Sequence, residues 1–196
     1  MTNNLKLVIF DMDGTVFKSF LDWKKIKKEL DVKEGKSILK TIYNGNNIDK
    51  KRLNILLKYE NDNTKRAYPI EGIDDFLKFL KSNSINTAIL TNNNKENTYY
   101  LLNKYSLNFD LVITRESGLW KPSGRGFEFI MKEFSCNTSN TSVIGDSYYD
   151  IKASRDAKIS DIYIIKNQHI EEEEGVVYFK NYTELLPIFK IKYGLN

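Results

Sequence analysis

Short apolar runs, each cut off by a polar or acidic residue, constrain this chain more than any other feature. Lys6-Leu7-Val8-Ile9-Phe10 stops at Asp11, Asn86-Thr87-Ala88-Ile89-Leu90 stops at Thr91, and Ser142-Val143-Ile144 stops at Gly145-Asp146. Leu111-Val112-Ile113, Ile162-Tyr163-Ile164-Ile165 and Val176-Val177-Tyr178-Phe179 are further runs of this kind. Runs this short, with no polar alternation, read as strands buried on both faces, which is the signature of a parallel sheet. Helical spacing fills the gaps between them. Phe76, Leu77 and Leu80 share one face of a segment starting at Gly72, and helices are predicted over 95–105, 124–134, 150–157 and from Thr183. Alternating strands and helices predict an α/β fold with a doubly wound, Rossmann-like parallel sheet and helices on both faces.

One stretch breaks the alternation. Between residues 18 and 67 the apolar residues fall at helical spacing: Trp23, Ile26 and Leu30, then Ile38, Leu39 and Ile42, then Leu53, Leu56 and Leu57. Asn44-Gly45-Asn46-Asn47 reads as a turn inside this segment, and Tyr68-Pro69 marks the return to the main body. The predicted organisation is therefore a core of residues 1–17 and 68–196 interrupted by a helical insertion over 18–67. A chain of 196 residues can bury a core of this kind without cross-links. With one cysteine, Cys136, no intrachain disulfide is possible.

Charge is unevenly spread. From Lys18 to Arg66 there are 14 basic and 7 acidic residues, a net of +7, which leaves −3 for the remainder of a chain whose total is +4. The plain reading is the solvated faces of helices; the functional one is a basic segment that attracts an anionic substrate. No aromatic–basic repeat or nucleic-acid motif accompanies the charge, so no nucleic-acid partner is inferred. No positive region precedes the apolar run from Leu5 to Phe10, and Asp11 ends that run too soon for a signal sequence. No apolar stretch approaches the ~18 residues that span a bilayer. The chain is read as soluble and cytoplasmic, with its oligomeric state left open.

In open parallel sheets, ligands bind beyond the carboxyl ends of the strands. The residues found there are Asp11, Thr91 and Asp146, with Asp13 and Asp150 close behind and Lys121 in the loop before the 124–134 helix. Carboxylates, a hydroxyl and a lysine on one rim suit a phosphate site with a hard divalent cation such as Mg²⁺, which prefers oxygen ligands. Asp11-Met12-Asp13-Gly14-Thr15 is the sharpest of these signals. A carboxylate can attack phosphorus to form an acyl phosphate, and a second carboxylate nearby can give a proton to the leaving oxygen and later take one from water. Gly14 lets the backbone turn closely around the group.

These motifs together resemble the haloacid dehalogenase superfamily of aspartate-nucleophile phosphatases, and within it the phosphoglycolate-phosphatase-like subgroup. Asp11-Met12-Asp13-Gly14-Thr15 matches the family's first motif, Leu90-Thr91-Asn92 its second, Lys121-Pro122 its third, and Gly145-Asp146-Ser147-Tyr148-Tyr149-Asp150 its fourth. The resemblance runs from Leu5 to about Ile165. It implies that Asp11 is the nucleophile and a Mg²⁺ ligand, and that Asp13 is the general acid/base with its carbonyl on the metal. Asp146 is implied as a further metal ligand, with Asp150 acting through water or by orienting Lys121. Thr91 and Lys121 would bind the transferring phosphoryl group, helped by backbone N–H groups around Met12 and Asn92. The insertion at 18–67 falls where the family carries a helical cap, here a small one. Phe17-Lys18-Ser19 stands where the family commonly has an acidic–serine pair, and this departure bears on substrate choice.

The implied function is a Mg²⁺-dependent phosphatase acting on a small phosphorylated metabolite. Two alternatives use the same aspartate: a phosphomutase acting on a sugar phosphate, and a phospho-acceptor signalling domain, which would need neither Asp13 nor an insertion of this length. A dehalogenase would need no acid at Asp13. Other residues carry less. His169 reads as a surface residue, Cys136 has no matching base, Trp23 reads as packing within the insertion, Arg66 as a surface arginine near its end, and Glu171–Glu174 as a solvated loop. Trp120, beside Lys121, reads equally as a wall of the site's mouth or as loop packing.

Overall fold

The strand β1 (Leu7–Phe10) is buried along its whole length and sits at the centre of the sheet. The fold comes from a computed structural model, which describes residues 4–33, 35–45, 47–167 and 170–195. By backbone contacts the chain divides into two compact units, one of residues 1–18 with 68–196 and one of residues 19–67.

In the larger unit β1 pairs in parallel with β4 (Asn86–Leu90) on one side and β6 (Thr141–Gly145) on the other. β5 (Leu111–Ile113) extends the sheet beyond β4, and β7 (Ile162–Ile165) and β8 (Val176–Phe179) extend it beyond β6. The order is β5-β4-β1-β6-β7-β8, all parallel. The chain therefore winds outward from β1 in one direction, then returns to wind outward in the other. That reversal opens a crevice at the carboxyl ends of β1 and β6.

The period of two along each strand divides the core into two faces. Leu7 and Ile9 point to one side, where they meet Ala88, Leu90 and Val143. Phe127, Ile130 and Met131 of α6 (Arg125–Glu133) and Ala153 of α7 (Tyr148–Asp156) cover them. Ile162 and Ile164 pack on Ile151 of α7 on this side. Phe10 points the other way, into an aromatic cluster with Phe76 of α4 (Ile73–Ser82) and Tyr182 of α8 (Tyr182–Tyr193), at ring-centroid distances of 6.3 and 6.2 Å. Phe189 joins it, 5.0 Å from Phe76 and 4.7 Å from Tyr163. Aromatic pairs at such distances contribute about 0.5–1.5 kcal/mol each beyond the area they bury. α5 (Lys95–Lys104) follows β4 and is capped by Asn94, whose side chain accepts from the Asn97 N–H. The sheet, with helices on both faces, is the predicted doubly wound fold. A 3-10 turn at Arg115–Ser117 was not legible in the sequence.

The smaller unit holds α1 (Trp23–Glu29), α2 (Ile38–Ile42) and α3 (Lys50–Arg66). Each has a side-chain N-cap, from Asp22, Ser37 and Asp49 respectively. Between α2 and α3 the chain makes a miniature hairpin, β2 (Tyr43–Asn44) against β3 (Asn47–Ile48). The predicted turn at 44–47 is the tip of this hairpin, with Gly45 at φ 59°; Asn46 lies outside the described residues. Ile26, Leu30, Ile38, Leu39, Ile42 and Leu56 are buried. Trp23 is not: it is 47% exposed, which overturns its reading as packing within the insertion. It shares a face with Ile26 and Leu30, but it stands at the first position of α1, at the exposed end of that stripe. Among the described residues no helix is long and apolar enough to cross a membrane.

Candidate active site

The last rungs of the sheet aim the predicted site residues into the crevice. The Asp11 N–H donates to Ile144 O at 2.9 Å, so Asp11 leaves β1 alongside the end of β6. The Thr91 N–H donates to Ile113 O at 3.0 Å, which ends β4 in the same way. Beyond Asp11 the chain coils tightly. Met12 O accepts from the N–H groups of Val16 and Phe17, at 2.9 and 3.0 Å, and Gly14 N–H donates to Phe17 O at 2.7 Å. Gly14 holds φ +86°, and a Cβ on it would stand 2.0 Å from Asp146 Oδ2. Only glycine allows the loop after β1 to pass this close to the carboxylate that ends β6. Met12 is fully buried.

Lys121 is the centre of the charge pattern. Its Nζ lies 2.5 Å from Asp11 Oδ1 and 2.6 Å from Asp150 Oδ1, and all three side chains are nearly or fully buried. The loop that carries it is clamped by Asn92. Asn92 Nδ2 donates to Lys121 O and the Lys121 N–H donates to Asn92 Oδ1, both at 3.0 Å. The Lys121–Pro122 peptide bond is cis. The second oxygen of Asp150 accepts from the Ser147 hydroxyl at 2.6 Å and from the Ser147 and Asp146 N–H groups at 3.1 and 3.3 Å. Asp150 thus joins Lys121 to the loop that carries Asp146.

Burial and mutual repulsion set the electrostatics. Desolvation pushes the Asp11 carboxyl up from 3.8 to about 7; Lys121 pulls against this, and Asp150 adds to it. Desolvation, then Asp11 and Asp150, hold the Asp146 carboxyl well above the usual carboxylate range, although part of the residue still reaches solvent. Burial alone would lower the Lys121 pKa, but the two carboxylates beside it outweigh the burial and raise it, so it stays an ammonium. Asp11, Asp146 and Asp150 each offer a carboxylate oxygen, all within 4.8 Å of one another. Three carboxylates around one ammonium leave an excess of negative charge. An all-oxygen donor set with that excess suits a hard divalent cation.

The structure brings Asp11, Asp146, Asp150 and Lys121 together. The Asp13 carboxyl lies outside that cluster and accepts instead from Asn93 Nδ2 at 2.7 Å. Thr91 is buried beside it, its Oγ accepting from the Asn93 N–H at 3.0 Å. Sequence reasoning missed Asn93, and also Ser147, Asn167 (Nδ2 to Asp146 O, 2.6 Å) and Tyr182 (hydroxyl to Thr15 O, 3.1 Å). The Ser147-x-x-Asp150 spacing is a capping-box pattern and could have pointed to the Ser147–Asp150 contact. Trp120 donates through Nε1 to Arg115 O at 2.6 Å, which is loop packing. Arg66 lays its guanidinium over the Phe20 ring, 4.9 Å from the centroid. Burial pushes the Cys136 thiol up, away from a nucleophilic thiolate. The acidic run at 171–174 is exposed at Glu171, Glu172 and Glu174, as expected of a solvated loop; the exposed Glu172 pairs with Lys166, and Glu173, partly buried, pairs with Arg155. His169 lies outside the described residues.

An acidic crevice at the reversal point of a doubly wound sheet places the chain in the Rossmann-like class of α/β enzymes. More particularly, it belongs to the haloacid dehalogenase-like hydrolase family, whose model matches residues 8–164, and it is a hydrolase by that membership. Its fold is similar to that of a hydrolase from Pseudomonas syringae (TM-score 0.74, 18% identity, covering 95% of this chain and 98% of that one). It is also similar to a predicted phosphoglycolate phosphatase from Haemophilus somnus 129PT (0.70, 18%, 95% and 98%). A candidate β-phosphoglucomutase from Thermotoga maritima is comparable (0.68, 18%, 95% and 99%). No curated protein gives a significant match to the sequence.

Proposed function

We propose that the chain is a Mg²⁺-dependent phosphatase that hydrolyses a small phosphate monoester through a phospho-Asp11 intermediate. The observation that carries this reading is the buried Asp11–Lys121–Asp150 triad beside Asp146 at the sheet's reversal point. The acidic donor set fits Mg²⁺, with Asp11, Asp146 and the main-chain carbonyl of Asp13 as its holders. Both oxygens of Asp150 are engaged by Lys121, Ser147 and Asp146, which makes it the residue that orients Lys121 rather than the first choice of ligand. When bound, the ion would neutralise charge on the phosphoryl oxygens and keep Asp11 ionised.

An Asp11 carboxylate oxygen attacks phosphorus, and the P–O bond to the ester oxygen breaks. Asp13 gives its proton to that departing oxygen, which leaves as the alcohol. Asp13, now a carboxylate, takes a proton from water as the water oxygen attacks phosphorus. The bond between phosphorus and Asp11 breaks, inorganic phosphate leaves, and both aspartates return to their starting states. Lys121 and Thr91 hold the phosphoryl oxygens through both steps. The unit of residues 19–67 is read as the cap that selects the substrate, a small phosphorylated metabolite in a cytoplasmic setting. Its net positive charge suits an anionic ligand.

The test is p-nitrophenol release from p-nitrophenyl phosphate, with Mg²⁺ and with excess chelator, by the wild type and Asp11→Asn. Metal-dependent release that Asp11→Asn reduces by on the order of 10⁴-fold is the expected result. Full activity of Asp11→Asn would sink the mechanism. Interconversion of sugar-phosphate isomers without net phosphate release would turn the reading to a mutase.

A further inference from the structure

Three consecutive asparagines follow Thr91, and each has a different task. Asn92 clamps the Lys121 loop and Asn94 caps α5. Asn93, the middle one, is only 3% exposed, and its Nδ2 donates to Asp13 Oδ2 at 2.7 Å. The amide orientation is fixed by the other end of the side chain. Asn93 Oδ1 accepts from the Asn94 N–H at 2.7 Å and from Asn94 Nδ2 at 3.2 Å, so the nitrogen must face Asp13. The backbone is fixed as well, since Asn93 N–H donates to Thr91 Oγ and Asn93 O accepts from the Arg115 N–H, both at 3.0 Å. This is a buried side chain with its donor aimed at one oxygen of one carboxyl group.

We propose that Asn93 is a positioning residue for Asp13, fixing the rotamer of its carboxyl group and assigning the transferable proton to Oδ1. The chemistry is directional. An N–H donor is best accepted by a carbonyl-type oxygen, so in the protonated form the amide on Oδ2 favours the tautomer with the proton on Oδ1. In the ionised form the same contact keeps the carboxylate from turning toward the Asp11–Asp146–Asp150 cluster. Burial makes the contact stiff, because breaking it would leave a polar group without water. Neither aspartate nor leucine could replace Asn93 here. Aspartate would set a second carboxylate against Asp13, and leucine would leave both Asn94 donors without their acceptor. The role rests on the reading of Asp13 as general acid, and its test separates the two.

In the full chain with Mg²⁺, kcat/KM is measured for p-nitrophenyl phosphate and phenyl phosphate. The esters are alike in shape, but their leaving oxygens differ in basicity. The phenyl ester depends on a proton from Asp13, while nitrophenolate departs with less help. Because kcat/KM covers only the steps to the first bond cleavage, the later role of Asp13 as a base does not enter. Asn93→Asp keeps an acceptor for Asn94 and loses the donor to Asp13. Asn93→Ser shortens the side chain and serves if the first variant fails to fold by thermal melting. The expected result is a loss on the order of 10-fold or more with phenyl phosphate and a clearly smaller loss with p-nitrophenyl phosphate, with Asp13→Asn showing the same selectivity more strongly. Equal losses on both esters, or none, alongside a selective Asp13→Asn would overturn the role of Asn93 alone. An Asp13→Asn variant without selectivity would overturn the general-acid reading, and a wild type inert toward both esters would overturn the proposed function, taking the Asn93 role with it.

Discussion

Lys121 Nζ stands 2.6 Å from Asp150 Oδ1, and neither side chain has more than a trace of exposure to water. Removing one partner of a buried ion pair leaves the other's charge without compensation, which costs about 3–5 kcal/mol. Asp11 still faces Lys121 in Asp150→Ala, so the expected loss of unfolding free energy is at the lower end, about 3 kcal/mol, read from urea denaturation. In the same variant kcat should fall more than KM rises, because Lys121 loses its direction while the substrate's other contacts remain. Unchanged stability would show that the pair is not formed in solution.

The carboxylates predict an inverted pH dependence for the metal-free protein. An acid whose folded pKa exceeds its unfolded value binds more protons when folded, so folding loses stability as pH rises between the two values. For Asp11 that window runs from 3.8 to about 7, and Asp146 shifts in the same direction. Lys121 is raised above its ordinary 10.5 and so contributes a constant amount throughout the window. With chelator present, melting temperature should therefore be higher near pH 5 than near pH 8. Mg²⁺, which needs ionised ligands, should raise the melting temperature most near pH 8. A melting temperature that climbs from pH 5 to 8 in chelator would contradict the raised carboxyl pKa values.

Gly14→Ala tests the close approach of the two loops. An alanine would carry the strain of φ +86° and put its Cβ 2.0 Å from Asp146 Oδ2, so Asp146 must move. A stability loss of about 1 kcal/mol or more from the backbone alone is expected. The Mg²⁺ concentration for half-maximal activity should also rise. If that concentration is unchanged while stability falls, Asp146 is not a metal holder.

Asn92→Ala removes both hydrogen bonds that clamp the backbone at Lys121. A buried backbone group left unmatched costs about 1–3 kcal/mol, so a loss of about 2 kcal/mol is expected by denaturant unfolding. On the proposed role of Lys121 in holding the phosphoryl group, inhibition by inorganic phosphate should weaken in parallel, since its ammonium is no longer steadied. Full retention of phosphate affinity would show that Lys121 is positioned by Asp11 and Asp150 alone.

The readings that came through from sequence were the local ones. An apolar run of four or five residues that stops at an aspartate carries its own instructions: the run must be buried, and the charge must emerge where burial ends. That is why Asp11 and Asp146 could be placed at the ends of β1 and β6, and why the period of two set the two faces of β1. The insertion's helices were legible in the same way. Trp23 was misread because helical spacing shows which residues share a face with Ile26 and Leu30 but not how far along the helix that face stays covered. The hairpin at β2 and β3 is too short to leave a periodic signal.

What the sequence determined by itself was the list of strand ends, and with it the fold class and the types of residue brought to the crevice. The physical reason is that burial of an apolar run is decided within a few residues of chain. Only the tertiary structure decided how the polar groups pair. Asn93 and Asp13 lie 80 positions apart, Lys121 and Asp11 110, and Asn92 and Lys121 29. A hydrogen bond needs its atoms placed to within a few tenths of an ångström, and that placement is fixed by sheet register and loop packing across the whole core. No local pattern contains it.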